Sequence, residues 1–274
     1  MGTALQLMGL PAGEAPEKWV TEHPEKVFKV HQDYIKAGSQ LIETNTFGAN
    51  RLKLKTMGLE DRLREINRKA VELAREAAGE RLVAGSVGPT GKMMQPYGEL
   101  SFEEAVDVFQ EQIAVQVEAG IDVVCIETMS DLQEMRAAVK AAKEVGIPII
   151  AQMTFGENHF TLTGNTPEEA ARVLDELEAD VIGVNCSLGS KQLLPIIKKM
   201  AGVTDKPLSV QPNAGMPELK DGQTVYPETP EDFSRPVREF LENNVRLIGA
   251  CCGSNPDFIR TIKKEVEKYK EAGN

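Results

Sequence analysis

The chain has little of several things that would define other kinds of protein. Four cysteines in 274 residues are too sparse for a disulfide framework. Two of them, Cys251 and Cys252, are adjacent, which disfavours a bridge between that pair. One tryptophan, Trp19, supports no stacking platform for bases. The three histidines, His23, His31 and His159, fall in helix or loop segments away from the cysteines; His23 and His31 read as surface residues. No apolar run approaches the roughly 18 residues of a membrane span. Basic residues are also short: 31 Lys+Arg against 42 Asp+Glu give a net charge of -11. That excludes non-specific nucleic-acid binding, which needs a cationic face, and disfavours docking on anionic lipid. The start, Met1-Gly-Thr-Ala-Leu-Gln6, lacks a basic segment followed by an apolar core, so no secretory signal is expected. The expectation is a cytoplasmic protein without nucleic-acid or membrane partners.

What is present is one repeated local pattern. A charged amphipathic helix ends at Gly or a polar residue, and a short β-rich run follows, ending in small, polar or sulfur-bearing residues. Segments 36–46, 118–128, 178–187 and 244–253 are four cases, and Arg81–Gly88, Pro148–Phe155 and Pro207–Asn213 add three more strands. Their Val, Ile and Leu residues run nearly continuously, as in strands buried on both faces. Helix-period segments lie between them: Ser101–Glu118, Ser130–Glu144, Pro167–Leu177, Gln192–Met200, Pro230–Glu242 and Pro256–Lys270, with 51–79 helical and broken near Gly58. Gly38 and Gly120 fall where C-cap glycines belong, and Pro167, Pro230 and Pro256 each follow a Thr or Asn N-cap. Strict βα alternation predicts a parallel sheet with crossover helices in one domain, residues 1–274. Seven units, with a start that reads as loop, lie one short of a (β/α)8 TIM barrel; an open doubly wound sheet is the alternative.

The strand ends collect the chemistry. Asn185-Cys186-Ser187 closes one strand and Cys251-Cys252-Gly253 another, with Gln211-Pro212-Asn213 between them. Three cysteines from neighbouring strand ends can converge on Zn²⁺, with thiolates at about 2.3 Å and a fourth position open. Adjacent cysteines can share one ion only if the backbone between them is kinked, because successive strand side chains point to opposite faces. The flanking Gly249 and Gly253 permit a kink. Spacing alone also allows three buried strand cysteines with no metal, which is where free Cys usually sits. Cys125, mid-strand in Val-Val-Cys-Ile, reads as core.

Gly183-Val-Asn-Cys-Ser187 with Gly249-Ala-Cys-Cys-Gly253, together with Glu43-Thr-Asn-Thr-Phe-Gly-Ala-Asn50, Gly85-Ser-Val-Gly-Pro-Thr-Gly91 and Ile126-Glu-Thr-Met129, resembles the homocysteine S-methyltransferase family over essentially the whole chain. Pro207–Gly215 and Asp221–Pro227 look most like the homocysteine module of cobalamin-dependent methionine synthases within that family. The resemblance implies a (β/α)8 barrel and Zn²⁺ on Cys186, Cys251 and Cys252, with Asn213 as fourth ligand in the absence of substrate. It implies homocysteine as methyl acceptor and Glu127 as the carboxylate that receives its ammonium. Thr128, Asn45, Thr46 and Asn185 are the further substrate-site candidates.

The chemistry suits those residues. A free thiol has a pKa near 8.5, whereas methyl transfer to sulfur needs the thiolate. Three cysteine thiolates leave a zinc site anionic, at about -1, so a further bound sulfur stays nucleophilic. The donor must approach in line from outside the barrel mouth. The chain shows no appended cobalamin or folate module, so a corrinoid donor is expected on another protein. Betaine, S-methylmethionine or S-adenosylmethionine as donor, another thiol or selenol as acceptor, and a catalytically silent zinc-binding module are the rival readings. The family has a strand ending in Asp-Gly before the position of Met1, so the first barrel strand is expected to be missing, with an open seam beside Cys251 and Cys252.

Overall fold

In the computed structural model, residues 1–11, 13–220 and 223–273 are described. The strands are β1 Leu41–Glu43, β2 Leu82–Val87, β3 Val123–Met129, β4 Ile149–Met153, β5 Val181–Gly189, β6 Leu208–Asn213, β7 Glu218–Lys220, β8 Gln223–Val225 and β9 Val245–Ile248. The helices are α1 Gly2–Leu7, α2 Trp19–Glu22, α3 Pro24–Ala37, α4 Arg51–Lys55, α5 Leu63–Ala78, α6 Phe102–Ala119, α7 Leu132–Val145, α8 Pro167–Glu176, α9 Ser190–Ala201, α10 Pro230–Ser234, α11 Val237–Glu242 and α12 Pro256–Glu271. Seven strands form one parallel sheet in the order β1-β2-β3-β4-β5-β6-β9, and β7 and β8 form a separate antiparallel hairpin.

The sheet curls into an incomplete barrel. Among the described residues β1 and β9 are edges and do not pair. The curl still brings Gln211 on β6 to Glu43 on β1, with Nε2 donating to Oε1 at 2.8 Å. The helix shell continues past the open edges: the Tyr34 hydroxyl of α3 donates to the Ser254 carbonyl before α12 at 3.4 Å.

Strand parity divides the side chains as continuous apolar runs require. Val83, Val87, Val124, Ile126, Ile149, Ala151, Ile182, Val184, Leu208 and Val210 pack outward under the helices. The lumen floor holds Ala84, Cys125 and Ile150 with Leu41, Val123, Val181 and Leu247. Above it the lumen turns polar: Gln152 donates to Ser209 Oγ at 3.0 Å, and the Cys125 thiol lies 3.7 Å from Gln152 Oε1. Cys125 is therefore a lumen residue, apart from the other cysteines.

The expected helix signals operate. Thr166 and Glu169 form a capping box, Thr229 and Asn255 cap α10 and α12, and Gly38 and Gly120 end α3 and α6 at φ 110° and 101°. Three expectations are corrected. The start of the chain is helical over Gly2–Leu7, with Leu5 buried as its apolar anchor, rather than loop. Segment 230–242 is two helices, because Pro236 has no N–H to continue the ladder. His31 is buried at 2% exposure on the inner face of α3, not at the surface.

Candidate metal and thiol site

The mouth of the barrel is built from irregularities at strand ends. In β5, Asn185 pairs with Gln211 and Gly189 with Asn213, so residues 186–188 lie opposite Pro212 alone. This bulge places Cys186 and Ser187 at φ 59° and 57°, in the left-handed region. Such conformations cost roughly 1–3 kcal/mol each and concentrate at functional sites. The bulge turns Cys186 toward the end of β9, while Ser187 Oγ is tied to Thr154 Oγ1 at 2.7 Å.

Cys251 and Cys252 follow β9 in a turn, which supplies the kink that adjacent ligands require. The Cys251 N–H donates to the Pro212 carbonyl at 2.7 Å, and the Ala214 N–H to the Cys252 carbonyl at 2.9 Å. Asn213 Oδ1 accepts the Cys252 N–H at 3.1 Å. Gly253 closes the turn at φ 78°, and a Cβ there would lie 2.1 Å from Cγ of Tyr226. Only glycine lets that ring lie against the turn.

Cys186, Cys251 and Cys252 consequently bring their sulfurs within 4.8 Å of one another. Cys252 Sγ is 3.9 Å from Cys186 Sγ and 4.0 Å from Cys251 Sγ. Tetrahedral ligation with metal–sulfur bonds of about 2.3 Å needs sulfurs about 3.8 Å apart, so the three thiols fit such an ion. They also polarise one another. Hydrogen bonds from the Cys186 and Cys251 thiols lower Cys252 to about 3. Donation to its two neighbours, then burial, pushes Cys251 well above the usual thiol range. Within the cluster the thiolate form is thus favoured most at Cys252.

Beside the sulfurs lies a buried carboxylate. A register shift in β3 places Glu127 and Thr128 opposite Gln152 alone. Glu127 Oε1 accepts Ser86 Oγ at 2.6 Å and Oε2 accepts Asn185 Nδ2 at 3.1 Å. Burial, and then the charge of Glu43, raises its pKa to about 8. Thr128 sits at φ 60°, an uncommon state for a β-branched residue. Asn185 holds it there, accepting the Thr128 N–H at 2.7 Å and donating to Thr128 Oγ1 at 2.8 Å.

The remaining candidates are spent on contacts within the protein. Thr46 is fully buried between the sheet and α6: its hydroxyl meets Thr44 Oγ1, the Ser86 carbonyl and Gln116 Nε2 at 2.6, 2.8 and 3.0 Å. Asn45 donates to the Pro16 carbonyl at 2.8 Å, fastening the N-terminal segment to the end of β1. Thr46 points away from the lumen, as the pleat requires for part of such a run. The Asn185 amide is committed to β3, so both of its N–H groups are used within the protein. Asn213 Oδ1 serves the Cys252 turn. Glu43, one of the strand-end residues expected in part to line the pocket, meets Gln211 there; Tyr226, Ser86 and Gln211 carry no site signal in the sequence beyond the glycine after Cys-Cys, which marks a close approach.

Fold and site together define a parallel α/β barrel with a thiol cluster at the C-terminal ends of its strands. The family model described as Homocysteine S-methyltransferase matches residues 1–266, and the chain belongs to that family. The methionine synthases of Mycobacterium leprae and Mycobacterium tuberculosis are 30% and 31% identical to it over 262 and 261 residues. Each match covers 90% of this chain and 22% of the relative, so the chain spans about a fifth of their length. Among solved structures, the metallated form of the homocysteine methyltransferase MmuM from Escherichia coli superposes with a TM-score of 0.81 at 24% identity, over 97% of this chain and 93% of that one. Its apo form gives 0.75 at 25% identity, over 96% and 92%.

Proposed function

We propose that this chain methylates the thiol of homocysteine to give methionine, using Zn²⁺ held by Cys186, Cys251 and Cys252 and a methylcobalamin donor carried by a partner protein. The observation that carries the reading is the convergence of three sulfurs, spaced for a tetrahedral ion, at the mouth of a barrel of this family. Bound there, Zn²⁺ would lower the pKa of a thiol entering its open position and so supply a thiolate at neutral pH. The chain's own residues do the rest. The bulge of β5 and the turn after β9 aim the sulfurs. Ser86 and Asn185 orient the Glu127 carboxylate for the substrate ammonium. An arriving ammonium favours ionised Glu127, which offsets the cost of its burial.

The lip of the mouth supports delivery of the donor by a protein. Phe47, Met93, Tyr97, Phe160, Leu162 and Leu219 are exposed large hydrophobics in the segments following β1, β2, β4 and β6. All belong to the C-terminal face of the barrel, where the sulfurs are. An apolar rim around a reactive mouth suits a macromolecular lid. We read residues 1–274 as one barrel domain. Its four free cysteines suit a reducing cytoplasm, and no helix among the described residues is long and apolar enough to cross a membrane.

Metal analysis of reduced protein tests the reading, with about one zinc per chain expected and lost in Cys252→Ala. A donor panel of methylcobalamin, betaine, S-methylmethionine and S-adenosylmethionine, assayed with homocysteine, then identifies the reaction. Folded, reduced protein without zinc would sink the reading, and transfer from S-methylmethionine but not methylcobalamin would replace its donor.

A further inference from the structure

The two halves of the site are joined by one side chain. Asn185 is 1% exposed and precedes Cys186 in the chain, so its backbone shares a peptide with the start of the left-handed bulge. Its side chain reaches across to β3, where the amide makes three contacts. Oδ1 accepts the Thr128 N–H at 2.7 Å, while Nδ2 donates to Thr128 Oγ1 at 2.8 Å and to Glu127 Oε2 at 3.1 Å. The segment it grips is itself irregular, with Thr128 at φ 60° in the register shift of β3. Two strained strand ends, one bearing a sulfur and one a buried carboxylate, therefore have their positions set by one planar amide. Strained segments persist only where their surroundings over-determine them. A rotation of the β5 bulge would move Asn185 and release Thr128 and Glu127 together.

We propose that Asn185 couples the two subsites: a metal ion on the three sulfurs fixes the β5 bulge and, through Asn185, sets the Glu127 carboxylate for an amino-acid ammonium. This rests on the functional reading above, in which the sulfurs hold the metal and Glu127 meets the substrate. Asn185 is then a positioning residue, touching neither metal nor substrate. Thermodynamic linkage makes the effect reciprocal, so an amino acid seated at Glu127 tightens the hold on the metal by the same factor.

The probe is L-2-aminobutyrate, which has the homocysteine carbon skeleton without sulfur and so reaches the ammonium subsite without a thiol to touch the metal. Its affinity is measured calorimetrically on zinc-loaded protein and on protein stripped by a chelator under reducing conditions. The loaded form is expected to bind about tenfold more tightly. Zinc affinity, read by competition with a chromophoric chelator, should rise by the same factor when the amino acid is present. In Asn185→Ala the loaded and stripped forms should bind aminobutyrate equally, at the weaker level. Thr128→Gly added to Asn185→Ala removes the strain the amide offsets; it should recover stability to urea without restoring the difference between loaded and stripped forms. That separates positioning from a merely structural role. Equal affinity of the two wild-type forms, or a difference that survives in Asn185→Ala, overturns the proposal. Wild-type protein that takes no zinc overturns the functional reading and the coupling with it, and the zinc titration alone registers that outcome.

Discussion

The side-chain oxygen of Asn213 accepts the backbone N–H of Cys252 at 3.1 Å, from a residue that is 3% exposed. The last residue of β6 thereby holds the turn that aims two cysteines at one point. Removing the acceptor leaves a donor short of a partner, at a cost of about 1–3 kcal/mol. Asn213→Ala should therefore weaken zinc binding, by about tenfold for each 1.4 kcal/mol lost. Asn213→Asp keeps an oxygen in place and should retain most of the affinity. The measurement is zinc competition against a chelator on both variants, with urea unfolding as the control for global stability. Equal loss in Ala and Asp variants would show that the amide itself, not the oxygen on the turn, is what the site needs.

The apolar rim makes a separable prediction. Tyr97 and Leu162 are 77% and 76% exposed, in the segments after β2 and β4, so replacing them disturbs little packing. Tyr97→Ser with Leu162→Ser should leave stability within about 0.5 kcal/mol. It should raise the KM for a protein-bound methylcobalamin donor about tenfold or more, since exposed aromatic and apolar residues anchor interfaces. The rate with free methylcobalamin should not change, because these side chains lie outside the lumen. Equal effects on both donors would place the rim in the small-molecule site instead of in partner docking.

Much of the barrel could be read from the sequence because its signals are local. Thr-Pro and Asn-Pro starts, C-cap glycines and unbroken Val/Ile runs mark each βα unit. The three cysteines are legible as a spaced set, and the turn ending at Gly253 supplies the kink that two adjacent ligands, Cys251 and Cys252, require. Orientation at strand ends was not legible. Thr46 and Glu127 both lie in polar runs at or just past strand ends, yet one faces α6 and the other the lumen: Thr46 keeps the parity of outward-facing Ile42 and Glu127 that of Cys125 in the lumen, and strands that are apolar on both faces do not mark which parity points inward. The position of Asn185 before Cys186 marks it as a supporting neighbour of a ligand as readily as a substrate contact; only the fold shows its amide spent on Thr128. His31 belongs to a charged stretch, and sequence alone gave no sign that α3 turns it inward.

Glu127 should leave a signature in the pH dependence of stability. Burial and the charge of Glu43 raise its pKa from 4.5 to about 8. The folded state then holds a proton that the unfolded chain releases, so the contribution is fully present below pH 4.5 and is lost as pH rises through about 8. Metal-free wild-type protein should weaken over that window by up to about 1.4 kcal/mol per pH unit at the steepest. Glu127→Gln, which cannot titrate, should flatten the slope. Urea midpoints at several pH values check this, and the same slope in both proteins would show that another group carries it.

His31 should produce a slope of the opposite sign. Burial lowers its pKa from 6.5 to about 3, and Nε2 has no hydrogen-bond partner among the described residues. The folded state therefore keeps the ring neutral, while the unfolded chain takes up a proton below pH 6.5. Stability on this account is full above pH 6.5 and falls as pH drops toward about 3. His31→Leu is close in volume and has no polar atom to bury. At pH 7.5 it should be neutral or stabilising by about 1 kcal/mol, since it removes an unsatisfied nitrogen from the interior. At pH 5 its advantage should grow, by up to about 1.4 kcal/mol for each pH unit below 6.5. Urea unfolding of the two metal-free proteins at pH 7.5 and pH 5 gives the comparison directly. An advantage that stays constant between the two pH values would mean that His31 takes up its proton as readily in the fold as in the unfolded chain, against the burial that α3 imposes on it.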